Sequence, residues 1–451
     1  VKTFALMALR NLFRNPRRSL STAVAAACGF AGIALTIGFI VRTSEYLYSS
    51  SVYLKHTGHI QVYARGGLDK YLSQPSKFSL TPEVLEKILP IIESDSRVEH
   101  WGKFLVGSGL AGNGCQSFPF FAVASDSKTL GWVKTHPHVK TWAPGLIQPK
   151  SGVSLSESQA PMPIALATGL ARRLGKSLTF SERKDSGNDI PFDCDSESVS
   201  SDFKKDANVQ LSGMDFSGNI SMIDVEIANY FTPRLEAANN LAIETTLPTL
   251  QALFGTEDVT YLAVFLKNAR DTQKVKEKWE DLLKKNDIQV DLFAYDNPEI
   301  APDYVNTMRF MYTMGILIIL IVVGVVTVGI ANSVYLNIME RIKEMGTLLA
   351  MGFTRRHIRN LFVLEAIFLS GMASAFGGVL ALVVAAGVNH AKIFFDSPGE
   401  VEPIQFLLTP SWPIVVGAWI FVQVSVVLAT FWILGKNNKS NPAQMLSGDS
   451  Q

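Results

Sequence analysis

Residues 310–339 read FMYTMGILIILIVVGVVTVGIANSVYLNIM, thirty residues without one charged side chain. The hydrocarbon core of a bilayer is about 30 Å thick, and about 20 apolar residues in a helix cross it. Three further stretches clear that length. Residues 20–41 (LSTAVAAACGFAGIALTIGFIV) and 412–434 are uncharged, and residues 361–388 carry only Glu365. The expected architecture is an α-helical membrane protein with four transmembrane helices: TM1 at 20–42, TM2 at 306–339, TM3 at 361–388 and TM4 at 412–434. At 1.5 Å per residue the 310–339 stretch spans about 45 Å, longer than the lipid requires. Residues 303–309 can extend it further as an amphipathic helix. Two readings stand, a helical stalk on the outer side or a tilted span. The first stretch is too long for the apolar region of a signal peptide and has no small-x-small site after it, so it reads as a retained helix.

Over the 451 residues, 47% are hydrophobic and 18% charged, and 41 Lys and Arg offset 40 Asp and Glu. A net charge of +1 excludes a nucleic-acid binder driven by bulk charge. The charges are nevertheless sided. Lys2, Arg10, Arg14, Arg17 and Arg18 precede the first span without an acid. Arg341, Lys343, Arg355, Arg356 and Arg359 outnumber Glu340 and Glu344 in the 340–360 connection. Lys436 and Lys439 follow the last span, against Asp449. The 389–411 connection is acidic instead, with Asp396, Glu400 and Glu402 against Lys392. Basic residues accumulate on the cytoplasmic side. Both termini and the 340–360 loop are therefore expected inside, with residues 43–305 and the short 389–411 loop outside.

Residues 43–305 are polar enough to form a large extracytoplasmic α+β domain between helices 1 and 2, with room for two subdomains. Runs at 59–63, 120–124, 163–167 and 261–266 read as strands. Residues 81–94 read as a helix with Thr81 at the N-cap and Pro82 at the first position. Residues 271–285 place Val275, Trp279, Leu282 and Leu283 at helical spacing. The Ser- and Asp-rich stretch 181–207 reads as a loop insertion. Cys28 falls in the first span. Cys115 and Cys194 fall in the outer domain, where an oxidising compartment permits a disulfide, although sequence leaves their separation open. The seven histidines show no metal-ligand spacing, and no grouping of Ser, His and Asp marks a catalytic site.

Two nucleotide-like motifs read as coincidences. Gly169 to Gly175-Lys176-Ser177 has five intervening residues where a phosphate-binding loop needs four, so its N–H groups would not converge on a phosphate. Leu211-Ser212-Gly213 starts like an ABC ATPase signature and does not continue as one.

The 340–360 connection, ERIKEMGTLLAMGFTRRHIRN, has Met345, Leu348, Leu349 and Phe353 at helical spacing between Gly346 and Gly352. Its basic residues are expected at the C-terminal side of a short helix, where the dipole favours them. Here the chain resembles the MacB/FtsX-like ABC transporter permeases. The resemblance lies in Glu344, Met345, Gly346, Thr347, Leu348, Leu349, Ala350, Met351 and Gly352, followed by Thr354, Arg355 and Arg356. The lead-in, Ala8-Leu9-Arg10-Asn11-Leu12 and Arg14 to Arg18, resembles the family's amphipathic N-terminal helix (residues 1–19). The tail Asn441-Pro442-Ala443-Gln444-Met445-Leu446 (within 435–451) resembles its closing pattern. Residues 58–62, 164–175 and 209–218 resemble elements of its outer domain.

The resemblance implies a function. The 344–352 segment, with Arg355 and Arg356, would dock on a separate cytoplasmic ABC ATPase, which uses ATP and Mg. This chain would bind neither directly and would be no enzyme itself. It would pair with a second permease, identical or not, in the bacterial inner membrane, with lipid around it and its large domain in the periplasm. A periplasmic or outer-membrane partner is a further expectation. ATP-driven movement of the outer domain, rather than a channel, would move a lipoprotein, peptide or small hydrophobe. The outer domain of about 260 residues is closer to the lipoprotein-releasing and MacB branches than to the cell-division branch. Activation of a periplasmic cell-wall hydrolase would use the same mechanics and is the alternative; an anchor without an ATPase is a third. Glu365, about one turn into the third span, is read as snorkelling or pairing with Arg355 or Arg359.

Overall fold

In a computed structural model, the chain is described at residues 16–147, 149–176, 207–340, 347, 349, 351–396, 399–410 and 412–436. The described helices are α1 (Pro16–Tyr48), α2 (Pro82–Glu93), α3 (Ser127–Thr135), α4 (Pro137–Trp142), α5 (Thr168–Arg173), α6 (Leu247–Phe254), α7 (Thr272–Lys285), α8 (Pro302–Glu340), α9 (Arg355–Ala391) and α10 (Trp412–Lys436), besides several single turns. The strands are β1 (Ile60–Ala64), β2 (Val98–Gly112), β3 (Ser117–Ser125), β4 (Ser151–Gly152), β5 (Pro163–Ala167), β6 (Asn208–Met214), β7 (Ile220–Phe231), β8 (Ala242–Thr246), β9 (Tyr261–Leu266), β10 (Val290–Ala294), β11 (Phe394–Phe395) and β12 (Ile404–Gln405). The chain divides into two compact units. One holds residues 1–44, 308–394 and 405–451, and the other holds residues 45–307 and 395–404.

The first unit is the membrane unit. Among the described residues, four helices are long and apolar enough to cross a bilayer: Ala23–Leu54, Pro302–Ser333, Arg355–Ala391 and Val415–Trp432. Ala26, Phe30, Val326, Ile330, Phe362, Ala373 and Val426 form a shared core. On the outside, α8 exposes Ile316, Leu317, Leu320, Ile321, Val325 and Val328. A helix apolar all round is stable with such a surface only where that surface meets lipid or another chain. A Cβ on Gly377 of α9 would lie 2.4 Å from the Ala27 carbonyl oxygen of α1, so glycine is what lets these backbones meet. Ser370 of α9 donates to Gln423 Oε1 of α10 at 2.6 Å, a polar tie between two apolar helices. Glu365 is buried at 5% exposure, and the Arg359 guanidinium lies over the Phe431 ring at 5.1 Å.

The helix boundaries differ from the sequence expectation in one instructive place. The third membrane helix starts at Arg355 rather than 361. Thr354 caps it, accepting from the His357 N–H, and His357 returns the bond in a capping box. Arg355 and Arg356 therefore occupy its first turn. The dipole of this helix disfavours cations there, and the preceding short helix, at whose C-terminal side they are expected, lies largely outside the described residues.

The second unit is an α/β domain placed between the first helix and the rest. It contains a ten-stranded sheet running β10-β1-β9-β2-β3-β8-β5-β7-β4, with β6 pairing both β2 and β7. The path β2-β3-β8-β5-β7-β6 thus returns to β2 and closes like a barrel. Leu105, Phe120, Ile164, Leu166, Leu211 and Ile227 fill it, with Leu250 and Phe254 of α6. In the open half, α2 and α7 cover one face. Ile88, Val275, Trp279 and Leu283 pack there on Ile60, Val62, Leu262 and Val264. The runs at 163–167 and 261–266 are strands β5 and β9, and the helix expected from 271 begins at Thr272. The 389–411 connection, expected as a plain loop, carries β11 and β12, and its residues 395–404 cluster with the α/β unit.

Cys115 is disulfide-bonded and Cys28 is free. Cys194 and nearly all of the 181–207 stretch lie outside the described residues, as do the 8–12 and 441–446 segments. The phosphate-loop lookalike is a short helix, α5, that ends at Gly175 with φ +68. Its Lys176 is buried at 5% exposure.

Candidate functional site

Two places on the long helices invite a functional reading. The first is the segment joining α8 to α9. Glu344, Met345, Gly346, Leu348 and Ala350 lie outside the described residues. Thr347 and Leu349 are helical, and Met351 N–H donates to Thr347 O at 3.0 Å. Gly352 N–H donates to Leu349 O at 3.0 Å, and Gly352 turns the chain with φ +91. Leu349 packs against the membrane core while Met351 is 68% exposed. Thr354, Arg355 and Arg356 follow, all exposed. The turn therefore presents a large apolar side chain and a basic helix start side by side. Such a surface suits a partner that offers an apolar pocket beside acidic groups.

The second place was passed over in the sequence. Helix α1 does not stop at Tyr48 but continues as a π-helical turn, Ser49–Leu54, with Ser49, Ser50, Ser51, Val52 and Tyr53 buried in the α/β unit. π-helical turns are rare and recur at functional positions. Five of the seven histidines gather around this turn: His56, His59, His100, His136 and His138. Tyr53 stacks on His136 at 4.4 Å and on Phe265 at 5.6 Å. His138 faces Ser49 Oγ at 2.8 Å through Nδ1 and Glu45 at 3.0 Å through Nε2. This Ser-His-Glu series has the order of a hydrolase relay, but Ser49 is fully buried. What it does is fasten α1 to α4. The Leu266 N–H donates to His59 Nδ1 at 3.0 Å, which leaves the imidazole proton on Nε2, facing the Tyr48 hydroxyl.

The start of α8 meets the same cluster. Lys55 pairs with Asp303 at 3.0 Å, and Tyr295 lies between Tyr48 at 5.5 Å and Tyr304 at 6.0 Å. Both long helices are thus seated in one aromatic socket. Gly58, with φ +62, ends the turn where a Cβ would come within 2.9 Å of the Val264 backbone. Four of the imidazoles, His56, His59, His100 and His136, are pushed toward the neutral form. Burial holds His56 down at about 4, with Glu244 opposing the shift and Lys134 adding to it. Burial, then His136 and His138, hold His59 at about 3. Burial also lowers His136 and His100, outweighing Glu99 and Asp126 respectively. No local sequence pattern announces this socket, because its members come from residues 45–59, 99–104, 132–138, 261–266 and 295–304.

Comparison with known proteins gives the geometry a family context. Residues 316–442 match the family described as FtsX-like permease C-terminal. An uncharacterized ABC transporter permease of Methanocaldococcus jannaschii is 28% identical over 202 residues, 44% of this chain and 49% of that protein. The macrolide export ATP-binding/permease protein MacB of Sodalis glossinidius is 21% identical over 230 residues, 51% of this chain and 33% of that protein. The periplasmic region of MacB from Actinobacillus actinomycetemcomitans aligns with 53% of this chain and 90% of its own, at 10% identity and a TM-score of 0.30. The match therefore spans about half or less of the curated relatives' length. Within those bounds, the chain carries an FtsX-like permease domain and is homologous to ABC transporter permeases of the MacB type.

Proposed function

We propose that this chain is the membrane subunit of an ATP-driven complex that works by moving its α/β unit. A separate ATPase binds the 344–352 segment with Arg355 and Arg356, and a second permease completes the complex. The observation that carries this reading is α8, one unbroken helix of 39 residues from Pro302 to Glu340. At 1.5 Å per residue it is about 58 Å long, well beyond the about 30 Å a bilayer core requires. Its first turn is seated in the socket with the end of α1, and its last turn leads into the segment that binds the ATPase. Tight packing and a helix's axial stiffness let a displacement at one end arrive at the other as rigid motion. In this reading both termini and the 340–354 segment face the cytoplasm of a bacterial inner membrane, and the α/β unit faces the periplasm. The cargo is a lipoprotein, a peptide or a small hydrophobe, handled outside the membrane rather than through a channel. ATP and Mg are bound by the ATPase.

The test is co-expression of the tagged full-length chain with candidate ABC ATPase subunits, followed by purification in detergent and reconstitution. A bound ATPase whose turnover changes on joining the chain is expected, and Met351→Asp should abolish its recovery. Recovery of an ATPase unaffected by Met351→Asp, or of none, overturns the docking assignment.

A further inference from the structure

The acidic connection between α9 and α10 is covalently part of the membrane helices, yet its residues 395–404 cluster with the α/β unit. Their attachment is specific. Glu400 Oε1 accepts from Arg234 at 2.7 Å, and the two side chains are only 8% and 12% exposed. The other carboxylate oxygen, Oε2, accepts from the Tyr46 hydroxyl at 3.3 Å. Backbone bonds run alongside: Glu236 N–H to Gly399 O at 2.9 Å and Val401 N–H to Arg234 O at 3.1 Å. Leu235 and Glu400 form an antiparallel bridge. Lys150 and Glu402 add an ion pair at the more exposed rim.

An outer loop of this length is normally exposed and needs no inward-facing acid. An exposed ion pair would also hold little. A buried pair is different, because removing one partner strands the other charge away from water, so it persists only where the geometry is closely kept. Glu400 touches two things at once: the last turns of α1 through Tyr46, and the segment that follows β7 through Arg234.

We propose that Glu400 is a positioning residue that fastens the α9–α10 connection to the α/β unit, so that the third and fourth membrane helices drive this unit as well as α1 and α8. The proposal rests on the motion-transmitting function above. In it, α1 and α8 hold the unit from its socket, and the Glu400 clasp holds it at Arg234. The clasp gives the α9–α10 connection a hold of its own on the unit, beside Tyr46 and at Arg234.

The experiment uses the full-length chain with its ATPase in lipid nanodiscs, in a Cys28→Ser background. Hydrogen exchange follows residues 399–405. Distances between spin labels at Ser217→Cys and Ala391→Cys are recorded without nucleotide and with ATP and vanadate. Glu400→Ala should raise exchange of the connection at least tenfold and shrink the nucleotide-dependent distance change by half or more. Tyr46→Phe should do both to a smaller degree. The exchanged pair Arg234→Glu with Glu400→Arg should restore both, and these two variants carry the test if Glu400→Ala does not fold. Unchanged exchange would overturn the clasp. Raised exchange with an unaltered distance change would reduce Glu400 to a local stabiliser and overturn the proposal. No nucleotide-dependent change in the unsubstituted chain would instead sink the motion-transmitting function itself.

Discussion

The two ends of α8 contrast sharply. Past Glu340, the described residues Met351, Gly352 and Thr354 to Arg356 are exposed, with a turn at Gly352 and a cap at Thr354. At Pro302 the chain leaves a socket of stacked aromatic rings and histidines, of which Tyr53, His56, His59, Phe104 and Phe265 are buried. Substitutions at the exposed Met351, Arg355 and Arg356 should therefore cost little in folding. The other end is held by packing, so its geometry is costly to change. Loosening the socket should therefore cost stability first, and altering the exposed turn should cost association first.

The largest effect is expected from Tyr53→Ala. Tyr53 is 3% exposed and packs on His136, Phe265 and Trp132. Truncating a buried aromatic residue costs about 3–5 kcal/mol. Hydrogen exchange of β9 in the full-length chain would reveal it, and an unchanged exchange rate would show that the socket is looser than its packing implies.

Acid is the next lever. Among the described residues neither ring nitrogen of His56 has a side-chain hydrogen-bond partner, and the ring stacks on Phe104 at 5.1 Å. Its pKa is lowered to about 4 in the fold, against about 6.5 in the unfolded chain. The unfolded state therefore binds more protons below pH 6.5. The stability from neutral burial is present above that pH and is lost as the pH falls toward 4, by an amount on the order of 3 kcal/mol for this group. His59, His136 and His100, lowered in the same direction, add to the slope. His56→Asn cannot take up the proton and tolerates the positive φ of this position. A melting curve of that variant should be visibly flatter between pH 6.5 and 4.5, and an identical slope would move the acid response elsewhere.

A matched pair of glycines sharpens the contrast. Gly58 and Gly352 both have positive φ, of +62 and +91. At Gly352 an added Cβ meets nothing within 4 Å among the described residues, whereas at Gly58 it meets the Val264 backbone at 2.9 Å. Alanine at Gly352 should cost only the backbone strain, about 1–2 kcal/mol. Alanine at Gly58 should cost more, because Val264 is held in β9 and cannot move aside. Equal losses in denaturation midpoint would mean that the turn after the π-helix yields as easily as the exposed one.

The same contrast explains what could be read in advance. The four spans and strands β5 and β9 were legible because purity and runs are local properties of consecutive residues. Strand β2 was missed, since Gly102, Gly107, Gly109 and Gly112 interrupt any alternation in it. Its pairing with β9, β3 and β6 overrides the weak propensity. The start of α9 was placed late because counting apolar residues begins at Leu361. The helix begins at its cap, and His357 stands where a Glu or Gln would have signalled it. The motif at 344–352 was recognisable as a string, although half of it lies outside the described residues. The socket and the Glu400 clasp were invisible because each joins residues far apart along the chain.

The smallest expected effect on folding is also the one that best separates the two ends. Arg356 is exposed in the first turn of α9, where the helix dipole disfavours its charge. Arg356→Glu should leave folding intact or stabilise this helix start by about 0.3–1 kcal/mol. If the turn docks on acidic groups of an ATPase, the same substitution should cut recovery of that subunit at least tenfold at low salt. An exposed charge is screened within about 8 Å at physiological ionic strength, so the wild-type complex should itself weaken as salt rises. A variant that melts like wild type, or slightly above it, and no longer retains the ATPase would assign Arg356 to recognition. If instead it melts well below wild type, the residue belongs with the socket as a structural element, and the division between a receiving end and a holding end would have to be redrawn at α9.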